Sequence, residues 1–322
     1  MLLSVVATLY RSSRSLEAFH ARMSAAAAAV TGDYEIVLVN DGSPDDSLAV
    51  AVRLFERDPR VRIVDLARNF GHHKAMMTGL AHARGGLVFL IDSDLEEEPE
   101  LLRSFEGTRR ETGADVVYGV QSARRGGLFE RCSGWVFFKL FNMLSDLPIP
   151  VNVVTVRLMT RRYVAALVSH RERETMIAGL WALTGFHQVP VSITKGQNTG
   201  TSYNLRRKVT VLVNSVTSFS DRPLVFIFYL GVIIGVASAA AAVYLVMQRL
   251  FFGIALPGWP SLIVSVWMLG GLMLGSLGII GMYVSRIFIE TKQRPYTIVR
   301  QIYERAADGA VRDSADGRPL LR

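Results

Sequence analysis

The sequence predicts an α/β domain with a mostly parallel sheet, followed by two transmembrane helices. Three observations carry that expectation. Strand-like and helix-like segments alternate from residue 1 to about 200, and repeated βα units imply a mostly parallel sheet covered on both faces. Two later runs, Pro223 to Met247 and Leu262 to Ser285, carry no formal charge. Each exceeds the roughly 20 apolar residues that cross a bilayer as a helix. The chain as a whole is 50% hydrophobic over 322 residues, with a mean hydropathy of +0.28. That excess sits in the two runs and is too large for an ordinary soluble enzyme.

Taken in order, Leu3 to Thr8 reads as the first strand, and Ala-rich Ser15 to Val30 as a helix. Tyr34 to Asn40 is a strand that turns at Asp41-Gly-Ser-Pro-Asp-Asp; Ser47 to Asp58 is helical; Val61 to Leu66 is a third strand. Ala75 to Arg84 is a helix closed by Gly85-Gly86. Leu87 to Ile91 is an apolar run of buried-strand length. Pro99 to Gly113 follows as a helix and Asp115 to Gly119 as a further strand. Right-handed crossovers are the default between such strands. The aromatic segment Gly127 to Leu147 reads as a core helix or as one lying in a membrane interface. Asn204 to Ser220, basic at its start, reads as an in-plane juxtamembrane helix. Arg305 to Arg322, rich in Ala, Asp, Gly and Arg, reads as disordered. The expected organisation is thus a domain over 1–203, a juxtamembrane helix over 204–222, spans over 223–248 and 262–285 joined by a loop at 249–261, and a tail over 286–322.

Charge supplies the orientation. The net charge is +8, but the basic residues do not form a soluble face of the kind nucleic acid needs. Arg206, Arg207, Lys208 and Arg222 precede the first span; Arg286, Lys292, Arg294 and Arg300 follow the second; the loop between holds only Arg249. Basic flanks mark the cytoplasmic side, so both termini are expected inside. The same cations suit anionic headgroups or an anionic lipid substrate. Leu2 to Tyr10 is apolar but short and lacks a basic n-region, and so does not read as a signal peptide. Cys132 is the only cysteine, which excludes an intrachain disulfide. Gly231-xxx-Gly235 and Gly271-xxx-Gly275 permit close helix approach in lipid. They point to a homo-oligomer formed through the membrane helices, although glycine is also simply common in such helices.

The chemistry-bearing stretch is Asp92-Ser-Asp94-Leu-Glu96, at the end of the fourth strand. Ligands of open α/β sheets bind at the carboxyl ends of strands. Hard carboxylate oxygens suit Mg²⁺ or Mn²⁺ bound to substrate phosphates. The alternative is an acidic helix start, because Glu96, Glu97, Glu98 and Glu100 complement the positive end of a following helix.

Further motifs stand in order: Val39-Asn-Asp41-Gly-Ser-Pro-Asp-Asp, Leu66-Ala-Arg68-Asn69-Phe-Gly71-His-His-Lys74, Arg157-Leu-Met-Thr-Arg-Arg-Tyr, His170-Arg-Glu172-Arg173, Gly200-Thr-Ser202-Tyr203, Gly281-Met-Tyr283-Val-Ser-Arg286, and Lys292-Gln-Arg294-Pro295-Tyr. Over residues 3 to 303 this resembles glycosyltransferase family 2, in particular its membrane-anchored polyprenyl-phosphate glycosyltransferases. Bactoprenol glucosyltransferases and dolichyl-phosphate mannose synthases are of that kind.

The resemblance implies a GT-A fold (Rossmann-like) and an inverting transfer of sugar from a nucleotide-sugar to a polyprenyl phosphate. It places the chain in the cell inner membrane as a multi-pass protein with its catalytic domain in the cytoplasm. Tyr10, Asn40, Asp41, Arg68, Lys74 and Asp92 are the implied nucleotide-sugar ligands, with Tyr10 flanking the base. Asp92, Asp94 and Glu96 are the implied metal ligands for Mg²⁺ or Mn²⁺, with Asp94 the direct one. Asp92, Asp94 and Arg131 carry catalysis. Lys139 is either a phosphate partner or surface charge, and Ser202, Arg206 and Arg207 meet the lipid phosphate. His72 and His73 are expected on a loop lining the donor pocket rather than on a metal.

The chain also departs from the pattern. Thr8, Arg11 and Ser12 replace the family's Pro, Asn and Glu; Gln121 replaces an Arg, with Arg124 and Arg125 nearby. Thr155 stands where the family has an acid before the Arg157 segment. No Gln-x-x-Arg-Trp motif is present, which argues against a processive polysaccharide synthase. A non-catalytic membrane scaffold is the remaining alternative.

Overall fold

The computed structural model describes residues 2–121, 152–170, 177–194, 220–252, 258–305 and 311–314. The chain divides into two units. One comprises residues 1–136, 147–203 and 294–322; the other 137–146 and 204–293.

The first unit is built on a sheet whose strands are β1 (Leu3–Leu9), β2 (Tyr34–Asn40), β3 (Val61–Leu66), β4 (Leu87–Leu90), β5 (Val116–Gln121), β6 (Val153–Thr160), β7 (Gln188–Ile193), β8 (Val299–Arg305) and β9 (Val311–Ser314). Their order is β7-β5-β6-β4-β1-β2-β3-β8-β9. The centre, β4-β1-β2-β3, is parallel. β6 runs antiparallel between β4 and β5, and β8 antiparallel beside β3. β2 and β3 begin and end where the sequence places them, because each is a short β-branched run bounded by turn residues.

Both faces are covered. Strand residues alternate between them, so Val5, Ile36 and Phe89 pack under α1 (Leu16–Val30), α2 (Ser47–Arg57) and α4 (Leu101–Thr112). Val6, Val37 and Leu90 pack under α3 (His72–His82), α5 (Arg161–Ser169) and α6 (Ile177–Leu183). Every residue of β1, β2 and β3 is buried, as expected for strands covered on both sides. Gly79 lets α3 lie against the sheet: a Cβ there would come within 2.5 Å of the Val6 side chain.

Two sequence expectations need correction. The stretch after residue 286 is not all tail, because β8 extends the sheet beyond β3. Its strand character is weak in sequence, because Val299–Arg305 (VRQIYER) lacks a regular apolar/polar alternation. Nor is Arg305–Arg322 wholly without order: β9 pairs with β8, Ile302 opposite Ser314. The aromatic segment 127–147 and all but the last residue of the proposed helix over 204–220 lie outside the described residues.

The second unit contains α7 (Arg222–Phe252) and α8 (Trp259–Thr291). Both contain windows long and apolar enough to cross a membrane, Arg222–Ala241 and Ser265–Thr291, neither buried within the protein. At about 1.5 Å per residue these helices outrun the roughly 30 Å hydrocarbon layer. The Tyr283 hydroxyl donates to the Ser220 carbonyl at 2.6 Å. A Cβ at Gly231, Gly235, Gly271 or Gly275 would meet open space. The small-residue faces are therefore not what brings α7 and α8 together within one chain.

Candidate active site

The carboxyl ends of β1, β2 and β4 converge, and the loops that leave them are tied to one another. After β4, Ser93 is buried; its hydroxyl donates to the Thr8 carbonyl at 2.7 Å and lies 3.0 Å from the Ser12 hydroxyl. Ser15 donates to the Ser93 carbonyl at 2.9 Å. Ser93 thus pins the middle of the Asp92-Ser-Asp94 segment to the β1–α1 turn. Its two acidic neighbours are left partly or fully exposed. Asp94 accepts the Glu96 N–H at 2.9 Å, and Leu95 between them has φ +62°. A non-glycine residue in the left-handed region is a strained turn that surrounding contacts must hold.

Asp92 has a neighbour that sequence reasoning missed. His72 Nε2 lies 3.3 Å from Asp92 Oδ1, and His72 Nδ1 lies 3.1 Å from the Thr8 hydroxyl. The Asp92 oxygen makes no aligned hydrogen bond, so the contact is electrostatic rather than a formed bond. His72 and His73 are not loop residues. They open α3, because Gly71, with φ +99°, turns the chain directly into the helix.

Asp41 is 2% exposed. Its oxygens accept the N–H groups of Phe70 at 2.7 Å and Gly71 at 3.0 Å. Burial pushes its pKa up, opposed by those two N–H groups and by His72. Gly42, φ +57°, is packed so tightly on the Arg68–Asn69 backbone that no side chain fits. The loops after β2 and β3 are therefore stacked. Asn40 donates to Asp65 at 2.7 Å. Tyr10 is 47% exposed, with Arg11 5.6 Å above its ring. Arg68 is exposed, 4.3 Å over Phe70. Lys74 sits 5.6 Å from the ring of Tyr296, a residue that follows the second apolar helix in sequence.

Asp45 is a second residue missed. It accepts Ser43 and Ser47 hydroxyls, both at 2.5 Å, and the Ser13 N–H at 3.1 Å. Burial opposes the charge, but those hydrogen bonds hold its carboxyl far below the usual range. The clue in sequence is Ser43-Pro-Asp45-Asp-Ser47, a hydroxyl-rich turn in which an aspartate bonds locally.

Arg157 is fully buried, 2.9 Å from the Trp181 ring centroid, donating to the Thr155 and Val154 carbonyls. Burial pushes it down to about 9, with Tyr163, Glu97 and Tyr118 acting to raise it. Glu97 is buried as well. Glu100 is the N-cap residue of α4 and pairs with Arg22 at 2.6 Å.

Among the described residues no three His, Cys, Asp or Glu side chains gather as a metal site, Asp92, Asp94 and Glu96 included. The donors still fit a hard divalent cation, which is commonly held by one or two carboxylates plus substrate phosphates and water. Arg131, Lys139, Ser202, Arg206, Arg207 and Lys208 lie outside the described residues.

Carboxylates at the carboxyl ends of parallel strands, above stacked loops, stand where open α/β sheets bind their ligands. The family is settled by comparison. The profile of Glycosyl transferase family 2 matches residues 4–167. A Mycobacterium tuberculosis protein, provisionally named as a glycosyltransferase, is 54% identical over 94% of this chain and 89% of its own length. Bactoprenol glucosyl transferase of Shigella phage SfV is 31% identical over 93% of this chain and 98% of its own. Among solved structures, M. tuberculosis glucosyl-3-phosphoglycerate synthase with Mn²⁺, UDP-glucose and phosphoglyceric acid matches with TM-score 0.47 and 19% identity, covering 67% of this chain and 79% of that one. The chain belongs to glycosyltransferase family 2.

Proposed function

We propose that this protein transfers a sugar from a nucleotide-sugar to a polyprenyl phosphate, with inversion, at the cytoplasmic face of the inner membrane, for cell-envelope glycan synthesis or modification. The observation that carries the reading is the Asp92–Asp94 pair, presented at the end of β4 by the buried Ser93. The chain then continues into two helices of membrane-spanning length.

Tyr10, Asn40 and Asp41 hold the nucleoside half of the donor; Arg68, Lys74 and Arg131 meet its diphosphate. Asp92 and Asp94 hold Mg²⁺ or Mn²⁺, which when bound offsets charge developing on the departing diphosphate. The acceptor needs no strong base. A phosphate monoester has a second pKa of about 6 and is already mostly dianionic near neutral pH, which suits a chain with Thr155 where relatives have an acid. The enzyme's work is to align the donor with a lipid phosphate, steadied by Ser202, Arg206 and Arg207. Each basic group at an anionic surface contributes on the order of 1 kcal/mol.

The decisive test is the purified full-length protein with undecaprenyl phosphate and a panel of nucleotide-sugars. Transfer of label from one donor into the lipid fraction, dependent on Mg²⁺ or Mn²⁺, is expected. Nucleotide-sugar hydrolysis without lipid product would sink the acceptor; inertness to every donor would favour a scaffold. Orientation is checked with a single cysteine at Ser261 in a Cys132→Ser background. Labelling from outside intact cells is expected, and labelling only from the cytoplasm overturns the topology.

A further inference from the structure

Arg300 reads in sequence as one more cation after the second span. The structure gives it a different place. It lies on β8, and the segment leading to β8 is stitched along α3 and β3. Thr297 shares a 2.8 Å hydrogen bond with Thr78, the Ala67 N–H donates to the Ile298 carbonyl at 2.9 Å, and Lys74 faces Tyr296. Arg300 Nε donates to Asp65 Oδ2 at 2.7 Å. Asp65 ends the ladder of β3 with β2, opposite Asn40, and is 1% exposed.

The other Asp65 oxygen, Oδ1, accepts the Asn40 amide N–H at 2.7 Å. That bond fixes which way the amide points, since a flipped amide would set oxygen against carboxylate oxygen. Asn40 Oδ1 is thereby turned to accept the Ser43 N–H at 3.3 Å. The Ser43 hydroxyl in turn accepts the Arg11 N–H at 2.7 Å, next to Tyr10. Arg300, Asp65, Asn40, Ser43 and Arg11 therefore form one continuous hydrogen-bonded series. It runs from a strand beyond the membrane helices in sequence to the residues assigned to the nucleoside.

We propose that Arg300 is a positioning residue for donor binding, which orders the 40–43 turn and Tyr10 through Asp65 and Asn40. The inference rests on the donor reading above. It makes the post-membrane strand a part of the nucleotide site rather than a tether. Arg300 touches no substrate itself. Without its guanidinium, Asp65 would be a buried carboxylate short of a cation, free to turn or to take up a proton, and would hold the Asn40 amide less firmly.

The test uses full-length protein in detergent and calorimetric titration of UDP, GDP, CDP and dTDP with Mn²⁺, no lipid acceptor being present. For whichever nucleotide the wild type binds, Arg300→Ala is expected to weaken binding about tenfold, equivalent to about 1.4 kcal/mol. The donor KM rises in step, while kcat at saturating donor stays within about twofold. Arg300→Ala in an Asp65→Asn background should add little, since the two act in series. Glu304→Gln, on the same strand, breaks contacts with Arg62 and Arg84 at the opposite end of the sheet. It should lower Tm and leave nucleotide affinity alone. Unchanged affinity in Arg300→Ala overturns the relay. So does an equal loss in Glu304→Gln, which would mean that β8 merely needs to dock. A wild type that binds none of the four nucleotides fails at the donor reading instead.

Discussion

At the amino-terminal end of the parallel strands, Glu35 and Glu304 are neutralised inside the fold; at the carboxyl end, Asp41 and Asp92 are not. Arg62 donates to Glu35 at 2.9 Å and to Glu304 at 3.0 Å, and Arg84 to Glu304 at 2.6 Å. Ser4 and the Arg84 N–H complete the shell around Glu35. Asp41 instead receives two backbone N–H groups, and Asp92 a neighbouring imidazole. Among the described residues neither faces a lysine or arginine within bridging distance. Both ends are acidic, but only the amino-terminal end pairs its carboxylates with arginines. The proposed function assigns its cation to Asp92 and Asp94 at the carboxyl, open end, whereas the paired charges at the amino-terminal, closed end are structural.

The largest expected effect breaks the closed end. Arg62→Ala leaves Glu35, 7% exposed, as an uncompensated buried charge, which costs about 3–5 kcal/mol. Thermal unfolding in detergent should show it as a large drop in Tm. A loss below about 1 kcal/mol would put this network among weak surface pairs and erase the contrast.

The open end should respond in the opposite currency, activity without stability. Asp94→Asn is expected to lower transfer on the order of 100-fold or more, as removal of a key electrostatic contact does, with Tm unchanged. Near-normal rates at saturating Mg²⁺ or Mn²⁺ would remove the metal assignment.

The contrast was only half legible in sequence. Asp92, Asp94 and Asp41 could be placed because each follows a short apolar run whose length and composition mark a strand, so their position at a strand end follows directly. The cations that close the other end could not. Arg62 sits inside β3, where nothing local says which carboxylate it meets. Glu304 reaches it only because β8 returns antiparallel to β3, with Tyr303 opposite Ile63, a pairing across some 240 residues of sequence. Non-local ladders leave no periodic trace in either partner. His72 was misplaced for a local reason: Gly71 was read as part of a loop, when its positive φ makes it the hinge that starts α3. The Asp92 contact depends on that start.

A third experiment uses pH at the closed end. His82 is pushed down to about 4 from 6.5, first by burial and then by Arg62, with Glu304 opposing and Arg84 adding. The unfolded chain therefore takes up a proton near pH 6.5 that the folded chain takes up only near pH 4. Between those values the unfolded state binds more protons, so stability falls as pH falls. About 2 kcal/mol should be lost between pH 7 and pH 5 from this group. His82→Asn should flatten that slope, measured as Tm against pH, and leave the donor KM unchanged. An unaltered slope would remove His82 from the closed-end network.

The smallest effect sharpens the comparison most, because it tests whether the open end is organised at all. Thr8 replaces the proline that the family resemblance implies, and its hydroxyl is within hydrogen-bond reach of His72 Nδ1. If Thr8 donates, the ring proton sits on Nε2, toward Asp92. Thr8→Val keeps the shape and removes the donor. The imidazole is 47% exposed, so water can replace the hydroxyl, and the cost should be only about 1 kcal/mol, or about fivefold. It should appear in Mn²⁺-dependent nucleotide affinity and not in Tm, whereas Ser4→Ala, which strips the shell of Glu35, should appear in Tm and not in affinity. If Thr8→Val instead destabilised the fold and spared binding, the histidine would be part of the scaffold, and the carboxyl end would resemble the closed end after all.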